Sequence, residues 1–234
     1  MKSVGVKRAL QQVATVECAK SSVRFFKMGE GDYGEGDEFI GVTVSKQRKI
    51  AKEFQFLSFD ELEKLLKSKK HEHRFTALLI LVEQYKKGST GDKKAIADFY
   101  LKHLDRVNNW DLVDTSAYQI LGQFCFEQGS SDVLYSLVTK KNMWERRVAV
   151  VGTYAYIKNK ELVHTFSLAE KLLEDKEDLM HKATGWMLRE AGKQNKSALV
   201  SFLHKHCTSM PRTMLRYAIE KFPKDEQKKC LQIK

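Results

Sequence analysis

Residues 58–68 read SFDELEKLLKS, and this stretch has the pattern of an amphipathic helix. Its three leucines recur at spacings of three and four, which places them on one face. Ser58 stands just before the pattern and Glu61 follows three residues later, which is the spacing of a capping box. The stretch therefore predicts a helix that begins near Ser58 and buries its leucines.

The same helical spacing recurs along most of the 234 residues, and only two prolines interrupt it, both near the C-terminus. This pattern predicts an all-α protein. Further helices are predicted at residues 3–20, 71–86, 92–103, 110–127, 131–139, 143–157, 161–173, 177–191, 195–206 and 211–221.

Several of these helices open with polar or charged residues followed by an apolar face. The segments are EHRFTALLIL, NNWDLVDTSA, WERRVAVVGT, HKATGWMLRE and PRTMLRYAIE. With Arg74, Asp111, Arg147, Lys182 and Arg212 as markers, the steps are 37, 36, 35 and 30 residues. Such a period is typical of paired-helix solenoids of the HEAT kind, although an antiparallel bundle also gives a rough period. We expect an α-α superhelix whose concave face is lined by basic residues.

The formal net charge of +11 favours a polyanionic partner, with nucleic acid first and an acidic membrane surface second. Residues 1–140 hold 22 basic and 19 acidic side chains, whereas residues 141–234 hold 19 and 11. The four cysteines are far apart and form no CxxC pair, so neither a zinc site nor a disulfide framework is indicated. With no apolar run near the roughly 20 residues that cross a bilayer, a cytoplasmic protein of one domain, residues 1–234, is expected.

Two segments invite a ligand-binding interpretation that their chemistry disfavours. FFKMGEGDYGEGDEFIGV, residues 25–42, is rich in glycine, but it has no Gly-Lys-Ser/Thr and its acidic residues would repel phosphates. We expect a structural loop there. His71 and His73 stand two apart on a predicted helix, so their side chains point in directions about 200° apart and no shared metal ion is expected.

The stretch NNWDLVDTSAY, residues 108–118, places a tryptophan beside two carboxylates. If Asn108 or Asn109 caps a helix, Asp111 falls in the first turn, where the helix dipole favours an acidic side chain, and it is expected to face solvent. Trp110 and Asp114 lie one turn apart at the shoulder of the apolar stripe Val113, Ala117, Ile120, Leu121 and Phe124. A half-buried carboxylate needs a partner.

The partner of Asp114 could be Arg146 or Arg147 in the following WERR segment, in which case the ion pair is structural. Trp144 in the same segment is expected to pack. Trp186 is either a core residue or, beside Gly185, part of a site that something approaches closely.

Together, NNWDLVD at 108–114, WERR at 144–147 and KATGWMLRE at 182–190 resemble the DNA alkylation-repair glycosylases of the alkylpurine glycosylase D family. The segment at residues 25–42 is similar to one found in a branch of that family. The resemblance covers most of the chain. It implies a HEAT-like solenoid that holds duplex DNA on a basic concave face and excises cationic N3- and N7-alkylated purines without extruding them from the stack.

The resemblance also implies roles for single residues. Asp114 matches the catalytic aspartate, Trp110 and Trp186 match the two tryptophans that flank the deoxyribose of the lesion, and Arg147 matches the arginine that grips the backbone. The other residues expected to bind DNA are Arg146, Lys182, Arg189, Arg74 and Arg212.

The chemistry agrees with these roles, because a cationic purine leaves as a neutral base and the sugar becomes oxocarbenium-like. A fixed carboxylate stabilises that charge and orients water. The sequence thus predicts a monomeric, monofunctional alkylpurine DNA glycosylase with no metal, cofactor or obligate protein partner. The alternative is a non-catalytic HEAT-like scaffold that binds DNA or protein.

Overall fold

The structure is a computed structural model that describes residues 1–232. These residues form helices joined by turns and loops, with no β-strand and one isolated bridge between Glu38 and Lys70. The all-α prediction is confirmed. No helix in this part of the chain has the length and apolar character that a bilayer span requires. The chain divides into two compact units, the first ending at Ser116 and the second beginning at Ala117, and the expectation of a single domain stays a prediction.

The first unit is built around its longest helix, α5 (His71–Lys87). Every residue from 71 to 82 is buried, including the polar ones at its start, so this helix is surrounded on all sides. Helices α1, α3, α4, α6 and α7 pack against it. The helices of this unit are α1 (Ser3–Val13), α2 (Val16–Phe25), α3 (Val44–Glu53), α4 (Phe59–Leu66), α5 (His71–Lys87), α6 (Thr90–Lys102) and α7 (Trp110–Ser116), with a short 3₁₀ turn at Leu104–Arg106.

The predicted N-terminal helix over residues 3–20 is broken in two. Ala14 and Thr15 adopt extended backbone angles, and the hydroxyl of Thr15 accepts a hydrogen bond from the Cys18 N–H at 3.3 Å. The Thr15 N–H donates to the Gly41 carbonyl at 2.9 Å. Thr15 therefore starts a new helix, α2, which ends next to the glycine-rich loop. That loop is irregular, as predicted.

The predicted capping box at Ser58 is wrong. The Ser58 side chain makes no capping hydrogen bond, and Glu61 instead accepts hydrogen bonds from the Ser3 N–H at 2.7 Å and the Ser3 hydroxyl at 2.6 Å. Lys64 also donates to Glu61 at 2.6 Å. The carboxylate thus joins the start of α1 to α4, a contact between residues far apart in sequence.

In the second unit, helices shorter than α13 (Asp178–Gln194) are arranged around it. The helices of this unit are α8 (Gln123–Gln128), α9 (Asp132–Leu137), α10 (Met143–Gly152), α11 (Tyr154–Lys158), α12 (Val163–Lys171), α13 (Asp178–Gln194), α14 (Lys196–His206), α15 (Arg212–Ala218) and α16 (Lys224–Gln232). Helices α10, α14 and α15 pack against α13. Two glycines allow close approach here: a Cβ at Gly185 would lie 2.5 Å from the Met214 carbonyl oxygen, and one at Gly122 would lie 2.1 Å from the Gly152 carbonyl oxygen. The partner that approaches Gly185 is the protein's own helix α15.

The predicted helix 110–127 is not continuous. A π-helical turn at Tyr118–Gly122 includes a hydrogen bond from the Gly122 N–H to the Ala117 carbonyl at 2.8 Å. This π-helical turn contains one residue more than an α-helical turn, so the residues after it are shifted around the helix axis. Phe124, expected in the apolar stripe, is consequently only half-buried, and Cys125 occupies the core instead.

Candidate functional site

A cavity of about 380 Å³ lies in the first unit, where α2, the glycine-rich loop, α3, α5 and α7 come together. Its walls combine aromatic rings with carboxylates and contain both Trp110 and Asp114. The walls include the side chains of Cys18, Phe25, Phe26, Phe39, His71, Glu72, Phe75, Trp110, Asp111 and Asp114. Most of the exposed lining is apolar, so the carboxylates lie against apolar surface.

Helix α7 brings Trp110 and Asp114 to this cavity. Asn109 precedes the helix, and its side-chain oxygen accepts a hydrogen bond from the Trp110 N–H at 2.8 Å. The Asn109 carbonyl accepts the first helical hydrogen bond, from the Val113 N–H at 3.1 Å. The side chains of Trp110 and Asp114 are both half-buried, in agreement with the predicted shoulder position.

An aromatic cluster forms one side of the cavity. The Phe26 ring stacks on the Trp110 ring with centroids 5.3 Å apart, and it also stacks on the Phe39 ring with centroids 4.8 Å apart. Phe25 meets Trp110 edge-on at 5.5 Å. The ring of His71 stacks on Phe39 at 4.6 Å. Trp110 is therefore held by ring contacts from the end of α2.

Buried charges form the floor beside this cluster. His71 lies between two carboxylates, with Nδ1 2.9 Å from Asp37 Oδ2 and Nε2 2.8 Å from Asp111 Oδ2. Arg74 donates to the other oxygen of Asp37 at 2.6 Å, and the Asn109 amide donates to Asp37 at 3.3 Å. The network ties the glycine-rich loop and α5 to the first turn of α7.

The network shifts the pKa of its members. Burial alone would lower the pKa of His71, but the charges and hydrogen bonds of Asp111 and Asp37 outweigh it and raise that pKa to about 9. Burial acts to raise the pKa of Asp37, yet the hydrogen bond from His71 and the charge of Arg74 bring it below its ordinary value. At neutral pH the network consists of an imidazolium and a guanidinium paired with two carboxylates.

Asp111 does not face solvent, contrary to expectation. Its side chain is only 13% exposed, because one oxygen binds His71 and the other accepts from the Leu112 N–H at 2.8 Å. Asp114 lies near the buried Tyr100, whose pKa is raised by burial and further by the negative charge of Asp114. The hydroxyl groups of Tyr100 and Ser116 lie 2.9 Å apart.

His71 and His73, the two histidines at the start of α5, contact different partners. His73 lies with Nδ1 2.9 Å from the Ser68 hydroxyl, and burial together with the nearby charges of Lys7, Lys70 and Arg74 lowers its pKa to about 4. Within residues 1–232 no group of three or more histidine, cysteine, aspartate or glutamate side chains is arranged so that it could hold a metal ion.

In the second unit, Trp186 belongs to a row of partly exposed aromatic residues. Its ring lies 6.1 Å from that of Tyr154, which meets Tyr118 edge-on at 5.1 Å. The ammonium group of Lys158 lies over both tyrosine rings, at 5.3 Å from Tyr118 and 6.0 Å from Tyr154. Trp186 is thus half-buried at the edge of the unit's core.

A family model described as DNA alkylation repair enzyme matches residues 6–222 of the sequence. The chain belongs to this family. A predicted DNA alkylation repair enzyme from Enterococcus faecalis has a similar structure, with a TM-score of 0.69, 16% identity, and coverage of 90% of this chain and 97% of that one. AlkD2 from Streptococcus mutans is also similar, with a TM-score of 0.57, 18% identity, and coverage of 88% and 99%. No curated protein matched the sequence.

Two of the basic residues that are expected to bind DNA are buried. Arg74 is 3% exposed, and besides Asp37 it binds the carbonyls of Ser68 and Lys69, both at 3.1 Å. Its guanidinium lies inside the first unit, and the expectation that Arg74 contacts DNA stays a prediction that this burial disfavours. Arg147 is 4% exposed and donates to the Leu179 carbonyl.

Two more of these arginines are engaged with acidic partners. Arg146 binds Asp175 through Nε at 2.7 Å and through a terminal nitrogen at 3.1 Å. Arg189 donates to Glu190 and Glu220. Their positive charges are locally balanced, which weakens their attraction for a phosphate.

Lys182 and Arg212 are the more accessible members of the predicted set. Lys182 pairs with Asp178 at 2.7 Å one helical turn away, with its side chain 40% exposed. Arg212 is exposed at the start of α15 and donates to the Leu231 carbonyl at 2.6 Å. Trp144, expected to pack, is half-buried at the start of α10.

The sequence interpretation of this family member missed Asp37, Phe25, Phe26 and the role of His71. Nothing in the acidic loop distinguishes Asp37 from its neighbours, since its partner Arg74 is 37 residues away. One signal was present: a histidine and an arginine begin the most buried helix of the chain, and buried cations require carboxylate partners.

Proposed function

We propose that this protein is a DNA glycosylase that releases cationic N3- and N7-alkylated purines from duplex DNA. The observation that carries the proposal is the shared cavity of Trp110 and Asp114: a half-buried carboxylate beside an indole, in a DNA alkylation repair family member of net charge +11. The basic charge would hold the phosphates, and the carboxylate would serve the sugar.

In the proposed reaction the bond between C1′ and the purine nitrogen breaks and its electron pair leaves with the base, which becomes neutral. The oxocarbenium-like sugar is stabilised by the ionised carboxylate of Asp114 and by the Trp110 ring face. A water molecule oriented by Asp114 adds hydroxide to C1′ and gives up its proton. The product is an abasic site, and no cofactor is required.

The remaining parts of the proposal concern DNA. In this proposal Trp186 also contacts the lesion's sugar, Lys182 and Arg212 contact phosphates, and Arg147 contacts the DNA backbone or supports, from its buried position, the residues that do. Arg146 and Arg189 would act there only through local rearrangement of their acidic partners. The proposal also includes a HEAT-like superhelix with a basic concave face. The protein would act as a monomer in the compartment that contains the chromosome.

The decisive experiment replaces Asp114 with Asn and measures 7-methylguanine release from methylated duplex DNA. Removal of the charge should slow release by roughly 100-fold or more, because a preorganised electrostatic contact is lost. Affinity for unmodified duplex should stay within about twofold, since one uncharged amide replaces one carboxylate. Asp98→Asn is the matched control: Asp98 is exposed on α6 of the same unit and pairs with Lys94.

Undiminished release by Asp114→Asn, with Asp98→Asn equally active, would falsify the catalytic role. A wild-type protein that binds duplex DNA but releases no base would favour the alternative, a non-catalytic HEAT-like scaffold.

A further inference from the structure

The glycine-rich loop at residues 25–42 supplies one buried carboxylate to the inside of the first unit. Asp37 is 8% exposed. The other acidic side chains of the loop are exposed, namely Glu30, Asp32, Glu35 and Glu38. Burial of a carboxylate is costly unless charged or hydrogen-bonding groups surround it. Asp37 therefore depends on its partners in a way that the exposed acidic residues of the loop do not.

Asp37 connects the start of α5 to the start of α7. Its two oxygens bind His71 at 2.9 Å and Arg74 at 2.6 Å, both of which lie on α5. The side-chain amide of Asn109, the residue directly before α7, donates to Asp37 at 3.3 Å. Asn109 is fully buried. The loop thus holds the residue from which α7 begins.

The two residues that flank Trp110 in the sequence are both held by this network. Asn109 precedes Trp110 and binds the loop carboxylate, and Asp111 follows it and binds His71 at 2.8 Å. Asp114 lies one turn later on the same helix, which is only seven residues long. The positions of Trp110 and Asp114 are therefore set by contacts at the first turn of α7.

The same loop also holds the indole ring. Phe26 stacks on Trp110 with an angle of 17° between the rings, and Phe39 stacks on Phe26. Phe39 also stacks on His71, with centroids 4.6 Å apart. One segment of the chain thus reaches the backbone on one side of Trp110 through a hydrogen bond and its side chain through ring contacts.

We propose that the glycine-rich loop positions the groups that carry the proposed reaction. Asp37 and Asn109 are positioning residues, which fix α7 so that Trp110 and Asp114 meet the deoxyribose in the reactive geometry. The inference rests on the proposed function and deepens it, because it gives the loop a part in the rate of base release. A displacement of about 1 Å at a reacting group can lower a rate by roughly 100-fold. Since Asp37 and Asn109 are buried, they act through α7 and not by contact with DNA.

The experiment uses two pairs of matched substitutions. Asp37→Asn removes the charge at the centre of the network, and Asp32→Asn makes the same change at an exposed position of the same loop. Asn109→Ser removes the amide that reaches Asp37 but keeps a side-chain oxygen at the start of the helix. Asn108→Ser makes the same change at the exposed neighbouring position. Asn109→Ser leaves the buried ion pairs in place, so it decides the test if Asp37→Asn does not fold.

Release of 7-methylguanine from methylated duplex DNA is measured in single turnovers, with folded protein in excess over DNA, so that an unfolded fraction does not lower the rate constant. Affinity for unmodified duplex is measured separately by fluorescence anisotropy. We expect Asp37→Asn and Asn109→Ser to slow release by about 10- to 100-fold, with duplex affinity unchanged. Asp32→Asn and Asn108→Ser should match the wild type in both measurements.

A double variant tests whether Asn109 acts through Asp114. If it does, a change at Asn109 has less to remove once Asp114 is replaced. Asn109→Ser combined with Asp114→Asn should therefore slow release by less than the product of the two single effects. Effects that multiply in the double variant would overturn the inference. Undiminished release by Asn109→Ser, or a loss of duplex affinity as large as the loss of rate, would overturn it as well.

The inference and the proposed function fail in different ways. Slow release by Asp114→Asn, together with undiminished release by Asp37→Asn and Asn109→Ser, defeats the positioning role of the loop and leaves the glycosylase proposal intact. Undiminished release by Asp114→Asn, or a wild-type protein that releases no base, defeats the proposed function and the inference that rests on it.

Discussion

Nε2 of His71 lies 2.8 Å from Oδ2 of Asp111, and the opposite ring nitrogen lies 2.9 Å from Asp37. Both ring nitrogens donate hydrogen bonds only when the imidazole is protonated. The contact therefore joins α5 to the first turn of α7 through a buried imidazolium. This places a titratable group under the helix that carries Trp110 and Asp114.

The first prediction is a loss of stability at alkaline pH. The folded-state pKa of His71 is about 9, above the ordinary 6.5, so its stabilising contribution is fully present below pH 6.5 and is lost as the pH rises through 9. The raised pKa corresponds to about 3 kcal/mol of unfolding free energy. Urea denaturation at intervals from pH 6 to 10 measures this loss.

His71→Gln separates this contribution from other titrations. The variant should lose about 3–5 kcal/mol at neutral pH, because Asp37 and Asp111 lose a buried cationic partner. Its stability should then vary less than that of the wild type across the alkaline range. Parallel pH profiles for the two proteins would show that His71 is not the titrating group.

A second prediction concerns helix packing in the second unit. Gly185→Ala should lower the free energy of unfolding by about 1–3 kcal/mol, since the new methyl group would collide with the backbone of α15. Gly91→Ala is the control, because the nearest atom to its added Cβ is the Ser89 hydroxyl at 3.9 Å. That change should be neutral or stabilise by up to about 1 kcal/mol. Equal stability of both variants would contradict the close approach at Gly185.

A third prediction tests the phosphate contacts. The logarithm of duplex affinity should fall linearly with the logarithm of salt concentration, and Lys182→Ala and Arg212→Ala should each reduce the slope by about 1. Lys94→Ala is the control, since Lys94 is exposed on α6 and paired with Asp98. Fluorescence anisotropy over a salt series gives the slopes. Slopes that match the wild type in both variants would remove these residues from the interface.

Helices were predicted correctly where apolar residues are dense in the sequence, and they were missed where apolar residues are sparse. The stretch that forms α5 has a dense apolar run from Phe75 to Val82, so its bounds were predicted within one residue. Helix α3 was missed because VSKQRKIAKE buries only Gln47, Ile50 and Ala51. Helix α16 was missed because it buries no residue.

The site was predictable in its local part alone. Trp110 and Asp114 stand one turn apart on a single helix, so helical geometry places them together. The partners of that helix come from the loop at Asp37 and from the end of α2 at Phe26, 72 and 84 residues before Asn109 and Trp110. Sequence periodicity has no means of pairing residues at such distances.

Glu72 adds a consequence for the motion of the cavity wall. Its buried carboxylate accepts hydrogen bonds from three successive N–H groups of the glycine-rich loop: Ile40 at 3.0 Å, Gly41 at 2.8 Å and Val42 at 3.3 Å. Lifting this edge would leave the buried carboxylate without its donors, and the free-energy cost of that loss opposes separation of the loop from α5. This irregular segment is thereby fixed to the longest helix of its unit, whereas α2 buries none of its residues, so we expect the cavity to open at the exposed end of α2.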